Sequence, residues 1–419
     1  MESKNRIAVV GAGASGMVAA IRAARGGAAV TLFEKNDRVG KKILATGNGK
    51  CNISNLEFDT DHYYCSNKNK LSHLFHEFSV EDTISLFGNM GLMIKSKNGY
   101  LYPYSEQASS VLDVLRMELE RCNIKVVTGA EIVSAAYCSE HGKFQLSSRD
   151  GKSYSFHKLI LACGSPASLK KGEGMTGYEM ARCLGHKINP LVPGLVQLRS
   201  NDGFIKALAG VRCQARLRLM IDGRGADTET GELQFTEYGI SGIPVFQMSR
   251  QAAYALREKK SVTVLTDFFP DKENEAFAHE NRRRFETQSD KTLEDYLTGT
   301  QNKKINMVMI KQAGLKPGIK ASQAGFKNIE RMMQQYRSFA IHIDRVNPME
   351  NAQICAGGVD FDQVDARLES VLVKGLYFTG ELLDIDGKCG GYNLQWAWTS
   401  GYIAGGSAAE NEAKEKIKC

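Results

Sequence analysis

The sequence predicts an α/β protein in two parts, a split nucleotide-binding domain and a β-rich domain, and three observations carry that prediction. The first is an apolar run, Arg6-Ile-Ala-Val-Val10, that leads straight into Gly11-Ala-Gly13-Ala-Ser-Gly16 and a helix-forming stretch from Met17 to Arg25. The second is another apolar run, Ala29-Val-Thr-Leu-Phe33, ending in Glu34, eighteen residues after Gly16. The third is a trio of short alternating segments near 132–137, 144–148 and 153–157 that feed the apolar strand Lys158-Leu-Ile-Leu-Ala162 and stop at Gly164.

Strand, GxGxxG and helix open a βαβ unit, and each glycine has a task. Gly11 allows the tight turn, Gly13 lets a pyrophosphate approach the backbone, and Gly16 lets the helix pack closely on the sheet. The helix N-terminus, at Ala14 and Ser15, offers unpaired N–H groups and a partial positive charge to phosphates. An acid at the end of the second strand accepts hydrogen bonds from both ribose hydroxyls and repels a 2′-phosphate, which makes Glu34, with Lys35 beside it, a candidate adenosine contact. GxGxxG alone reads equally as a ligand-free turn; strand, helix, second strand and acid together read as an adenine-dinucleotide site. The alternating trio is a β-meander, with Val133 in its first strand a further candidate contact. A meander feeding a strand that ends in a small-residue turn (Ala162, Gly164) distinguishes FAD-binding Rossmann domains from plain NAD domains. Ile124-Lys-Val-Val127 is expected as a buried parallel strand.

Pro190 and Pro193 mark the exit into a different region. Residues from about 194 to 268 alternate with period two, most clearly Ala215-Arg-Leu-Arg-Leu-Met220. Residues 271–336 are charged, Gln-rich and helical, and Phe339-Ala-Ile-His-Ile343 returns to strand. A strand at Leu376–Thr379, an acidic glycine-rich turn and a helix from Leu394 to Ala409 close the nucleotide domain. The expected division is therefore 1–190 and 356–419 for that domain, 191–270 and 337–355 for the β-rich one, and 271–336 for a helical insertion.

Two more clusters carry candidate chemistry. In Lys41-Lys42-Ile-Leu-Ala-Thr46-Gly47-Asn-Gly49-Lys-Cys-Asn52, backbone N–H groups, Thr46 and the lysines either wrap a pyrophosphate or flavin ring or form a flexible surface loop. Gly380-Glu381-Leu-Leu-Asp-Ile-Asp386-Gly-Lys-Cys-Gly-Gly-Tyr-Asn393-Leu394 sets three carboxylates between a strand and a helix. Such a turn can hold ribityl hydroxyls and aim the helix N-terminus at the flavin pyrimidine, where charge develops on reduction. A metal-binding loop is the alternative, and the lack of a nearby histidine or of DxDxDG spacing argues against it. Gly172-Glu-Gly-Met-Thr-Gly177 also spells GxGxxG, but its strand ends eight residues earlier and no terminal acid follows, so it reads as a loop and helix start. With one fingerprint, NADH or NADPH is expected as a transient electron donor against the flavin.

Composition sets the outer limits. The chain has 419 residues, 42% hydrophobic and 24% charged, as ordinary globular proteins do, and a net charge of +7 that suits anionic cofactors without requiring nucleic acid. Arg282-Arg-Arg284 lies between Glu280 and Glu286 and reads as a solvated helix face rather than an RNA patch. No run of eighteen apolar residues predicts a membrane span. Lys4 and Arg6 ahead of an apolar stretch imitate a secretory signal, but the phased glycines argue otherwise. Ten cysteines without a CxxC pair offer neither a zinc site nor a redox dithiol, and the expected setting is the reducing cytoplasm with a small-molecule substrate.

Taken in order, these clusters resemble the BaiN/YhiN-type family of NAD(P)/FAD-dependent flavoproteins over nearly the full length. The motifs are Gly11–Gly16, Lys42–Asn52, Gly231–Gly242, Ala356–Val359 and Gly380–Trp398 with its Gly-Gly-Tyr-Asn-Leu-Gln-Trp core. The resemblance implies an α/β fold: a split Rossmann-like FAD-binding domain with a β-meander, plus a β-barrel-like domain carrying a helical insertion. It implies FAD contacts at Gly11, Gly13, Gly16, Glu34, Thr46, Gly49, Asn52, Glu381, Asp386, Asn393 and Leu394, and Gly380 opens the same turn. It also implies an NAD(P)H-driven reductase of a conjugated enone of the steroid or bile-acid kind. Two alternatives stay open, a flavin oxidase of a small amino-ketone that releases H2O2 and an RNA-associated flavoprotein with structural FAD.

Departures from the family pattern are Cys163 where a threonine is usual, the shortened Thr176-Gly177-Tyr178, and Glu237 where members place a histidine. No catalytic residue is assigned. Tyr238 and Tyr392 could donate a proton or be ordinary core tyrosines, Cys389 could be a flavin-side thiol or fill a tight turn, and His186 reads as a helix C-cap. Tyr100, Tyr102 and Tyr104 line either an apolar substrate slot or a surface turn.

Overall fold

The computed structural model describes residues 5–410, so Lys4 and Cys419 lie outside the described residues. Two compact units divide the chain, Met1–Leu191 with Ile354–Cys419, and Val192–Gln353.

The first unit is built on a five-stranded parallel sheet. Its order is Leu376–Phe378, Lys158–Leu161, β1 (Arg6–Val10), β2 (Ala29–Phe33), Lys125–Val127. β1 sits centrally and buries Ile7, Ala8, Val9 and Val10 in succession, because a parallel strand covered on both faces carries an apolar run rather than an alternation. The segment expected as a buried strand at Ile124–Val127 is parallel but is the sheet's edge. It pairs with β2 alone, and Val126 is 38% exposed. The meander comprises Ile132–Cys138, Lys143–Ser148 and Ser153–Phe156, with an irregularity in register at Val133. Phe144 and Leu146 anchor it in the core.

α1 (Ala14–Arg25) crosses the long helix Tyr392–Ala409 at very short range. A Cβ on Gly401 would stand 2.4 Å from the Ser15 carbonyl oxygen, and one on Gly405 2.4 Å from that of Ala19. The long helix begins two residues before the expected Leu394. Its Trp396 and Trp398 are buried and donate to the carbonyls of Gly380 and Ile53, each at 3.0 Å. One helix thus fastens both glycine-rich loops.

The stretch around Lys41–Asn52, for which a surface loop was one of the two expectations, contains α2 (Lys41–Ala45) and a tight turn at Thr46–Gly49 and leads into the strand Ser54–Asn55. That strand edges a small antiparallel sheet with Tyr100–Pro103 in the middle and Ile94–Lys97 beyond. A five-residue helix is too short to show a period in sequence.

The second unit has its own core around a seven-stranded antiparallel sheet. The strand Arg212–Ile221 buries Ala215, Leu217 and Leu219 and exposes Arg216 and Arg218, the alternation seen in the sequence. Helices at Asn274–Gln288, Lys303–Gln312 and Phe326–Gln335 account for much of the charged, helical region. The arginine run there is only partly a solvated face: Arg284 donates to the carbonyls of Tyr296 and Thr298, and Arg282 stacks over Phe326. Among the described residues, no helix is long and apolar enough to cross a membrane, and no disulfide forms.

Candidate functional site

The glycines of the first loop separate into two that pack and one that faces open space. A Cβ on Gly11, whose φ is +105°, would lie 2.3 Å from the Ala162 carbonyl oxygen, and one on Gly16 would lie 1.9 Å from that of Gly11. Gly13 is extended, caps α1 without a side chain, and would meet nothing within 4 Å. The N-terminus of α1 therefore opens on free volume at the residue where a pyrophosphate would approach.

Glu34 is buried at 8% exposure, and its carboxylate is mostly committed within the protein. Oε2 accepts from the Ala12 N–H at 3.0 Å; Oε1 accepts from the Asn36 N–H at 2.9 Å and the Asn36 amide at 2.6 Å. A carboxylate has about four acceptor positions, so one remains on Oε2 for a ribose hydroxyl. One open position is fewer than the double ribose contact expected from sequence requires. Lys35 lies 3.8 Å from Glu173. Glu34→Ala is expected to weaken FAD binding roughly tenfold and to cost about 1–3 kcal/mol of apoprotein stability, because buried N–H groups are left unpaired. A flavin titration and apoprotein melt of the variant that match wild type would refute this.

The other two clusters converge on the same unit. Lys42 Nζ meets Glu381 Oε2 at 2.7 Å, and Glu381 Oε1 accepts from the Cys355 N–H at 2.8 Å. Both oxygens of Glu381 are thus engaged internally. Thr46, a candidate for wrapping a pyrophosphate or flavin ring, donates its hydroxyl to the Ile43 carbonyl at 2.6 Å. Gly380 is tied through its N–H to Ser400, and a Cβ there would lie 2.7 Å from Ser15 Oγ. Asn393 clamps Gly387 in both directions, each bond 2.8 Å, and so shapes the turn before the long helix. Asp386 is buried in a bridge to Tyr64, and Leu394 packs on the core. Gly391, at φ +96°, lets Asn52 and Ser54 approach the helix head; its Cβ would lie 2.9 Å from Asn52 Oδ1.

A flavin dinucleotide fits these residues on two counts. Open space faces Gly13, Gly49 and Gly164. Two buried polar atoms, Asn52 Oδ1 and Asp384 Oδ1, have no partner among the described residues, and such orphans call for a ligand. Asp384 escaped sequence reasoning, since its neighbours in the acidic turn carried the same signal. Its other oxygen accepts from Asn189 at 2.8 Å.

The side-chain candidates for chemistry are largely spoken for. Tyr392 donates to the Glu57 carbonyl at 2.9 Å, and Tyr238 lies 3.3 Å from the Asn347 amide. His186 closes the end of its helix through the Ala181 carbonyl and reaches Ser370 at 2.7 Å. Burial pushes the Cys163 thiol up to about 12 and that of Cys51 up to about 11, and it raises Cys389 as well. These thiols stay protonated near neutral pH, which removes thiolate chemistry.

Residues 5–407 match the HI0933-like protein Rossmann domain. The chain belongs to this family. It is 42% identical to the 3-dehydro-bile acid delta(4,6)-reductase of Clostridium scindens, over 97% of this chain and 99% of that one. It is 28% identical to the ribosomal RNA dihydrouridine synthase of Escherichia coli, over 94% and 95%. A flavocytochrome c3 fumarate reductase in its open conformation shares the fold, with a TM-score of 0.50 at 14% identity over 97% of this chain and 78% of that one. The fold class expected from sequence, α/β with a Rossmann-type parallel sheet, is the one observed.

Proposed function

We propose that this HI0933-like protein is an FAD-dependent oxidoreductase that reduces a conjugated enone of the steroid or bile-acid class, with NADH or NADPH as donor. The single observation behind this reading is the full-length 42% identity to a bile acid reductase. When bound, FAD supplies hydride to the β-carbon of the enone. The protein's part is to bind and orient. The open N-terminus of α1 receives the pyrophosphate, the free position on Glu34 takes a ribose hydroxyl, and Asn52 and Asp384 offer buried acceptors. Neutral thiols around the turn exclude a competing nucleophile. The reading places the chain in the cytoplasm, where its thiols stay reduced.

A second reading is favoured by the dihydrouridine synthase relative. Uracil carries a carbon–carbon double bond conjugated to a carbonyl, so the same hydride addition applies and the substrate becomes RNA.

The test is anaerobic mixing of purified holoprotein with NADH or NADPH, followed by a 3-oxo-4,6-diene bile acid or unmodified ribosomal RNA. Bleaching of the flavin band and a bile acid gaining two hydrogens are expected. Reduction of RNA alone would replace the first reading with the second. Failure of both nucleotides to bleach the flavin, with H2O2 released from aminoacetone in air, would overturn both.

A further inference from the structure

We infer that the Tyr100 hydroxyl is the hydrogen-bond donor that holds the carbonyl oxygen of the enone. The assignment rests on the reductase reading above and adds to it the protein group that activates the substrate.

Five described tyrosines border the glycine turn before the long helix; Tyr64 pairs along the backbone with Asp386, and the other four divide in two. Tyr63 donates to the Tyr392 carbonyl and Tyr392 to the Glu57 carbonyl, each at 2.9 Å. Both are spent on structure. Tyr100 and Tyr102 are half-buried, and neither hydroxyl has a hydrogen-bond partner among the described residues. They stand two apart on one strand and so share a face, while Leu101 and Pro103 point into the core.

Tyr100 is the one that reaches the turn. Its Cε1 lies 2.9 Å from where a Cβ on Gly390 would be, and the Gly390 carbonyl is itself fixed by Asn55 at 3.1 Å. Gly391, next in sequence, borders the orphaned Asn52 Oδ1. An unused phenol and an unused amide thus flank the head of the helix proposed to face the flavin.

The phenol is also held in place. Tyr100 pairs with Asn55 on one side and Lys97 on the other, in the middle strand of its sheet. A donor fixed before reaction loses little in reorganisation. Burial, with Cys389 and Glu57 near, raises its pKa above the ordinary phenol value, so it keeps its proton at neutral pH.

Bound reduced FAD would supply the hydride that forms the new bond at the β-carbon, giving up two electrons. The carbon–carbon π pair shifts so that the carbonyl oxygen takes the negative charge, which the Tyr100 O–H holds. A proton from water then bonds to the α-carbon and the carbonyl is restored. No proton is consumed from Tyr100.

The test uses oxidised holoprotein, which binds without turning over, and a 3-oxo-4-ene bile acid isotope-labelled at its carbonyl. Infrared difference spectra should show the bound carbonyl stretch lowered in wild type and returned toward its unperturbed frequency in Tyr100→Phe. Steady-state kcat/KM for the enone should fall roughly 100-fold or more, as on loss of one oxyanion donor, with flavin bleaching by the nucleotide unchanged. Tyr137→Phe, on the meander, should match wild type in both. If wild type binds and reduces the enone while Tyr100→Phe leaves the stretch in place, the assignment is wrong and the reductase reading stands. If wild type shows no bound carbonyl and no enone reduction, the reductase reading fails and takes the assignment with it.

Discussion

Gly405→Val should destabilise the nucleotide-binding unit by roughly 3 kcal/mol or more, while Gly406→Ala, one residue on, should leave stability unchanged or raise it. At Gly405 even the first added carbon would stand 2.4 Å from the Ala19 carbonyl oxygen, 2.9 Å from its Cα and 3.0 Å from its carbonyl carbon. Those are backbone atoms of α1, so relief requires moving a helix rather than a side chain. α1 is also held at its start, where Gly16 nests against the Gly11 carbonyl, and separating the helices would pull on that loop. At Gly406 the nearest atom is Arg22 Nε at 3.5 Å, the far end of a flexible side chain. Alanine there gains up to about 1 kcal/mol in helix propensity. Thermal melts of the two apoproteins decide it, with an expected fall of roughly 10 °C for Gly405→Val. Equal melting temperatures would mean that the helix crossing does not depend on glycine.

Why some features were legible and others not follows from the range of the interactions involved. β1 and its loop could be read because their constraints are local: a buried parallel strand must be an apolar run, and Gly11 and Gly16 sit where any Cβ strikes backbone. The meander could be read because alternation reports a half-buried antiparallel strand directly. By contrast, the Lys42–Glu381 pair joins residues 339 apart in sequence. No local pattern encodes it. The two tryptophans show the same limit, since their burial is expected from residue type, but which carbonyl each indole N–H finds depends on the packed helix. Glu34 was placed correctly at a strand end, yet its internal donors are the Ala12 N–H of the first glycine loop, 22 residues away, and the backbone and amide N–H groups of Asn36, and no local pattern encodes that convergence. Ile124–Val127 looked buried because apolar runs mark parallel strands without saying which of them lies at the edge.

Gly13→Asp should separate folding from cofactor binding, with FAD affinity falling about 100-fold, or about 2.7 kcal/mol, and apoprotein stability holding or rising by a few tenths of a kcal/mol. The two effects have opposite signs because the position has two environments. Toward the protein, Gly13 is the N-cap of α1, with φ −82°, ψ −166° and no side-chain hydrogen bond. Aspartate is among the preferred residues there, since its carboxylate accepts from an N–H of the first turn and suits the positive end of the helix. Toward the open side, nothing lies within 4 Å of the new Cβ, so the folded chain accommodates it. The same carboxylate would occupy the space proposed for the pyrophosphate, take up its N–H donors and repel its charge. Gly11→Ala is the contrasting case: φ is +105° and Ala162 blocks the Cβ at 2.3 Å, so stability and binding should fall together. Flavin titration and melting of both apoproteins give the comparison. A Gly13→Asp protein that binds FAD within threefold of wild type would remove the pyrophosphate from the head of α1, and a Gly13→Asp protein that fails to fold would show that the space is not open.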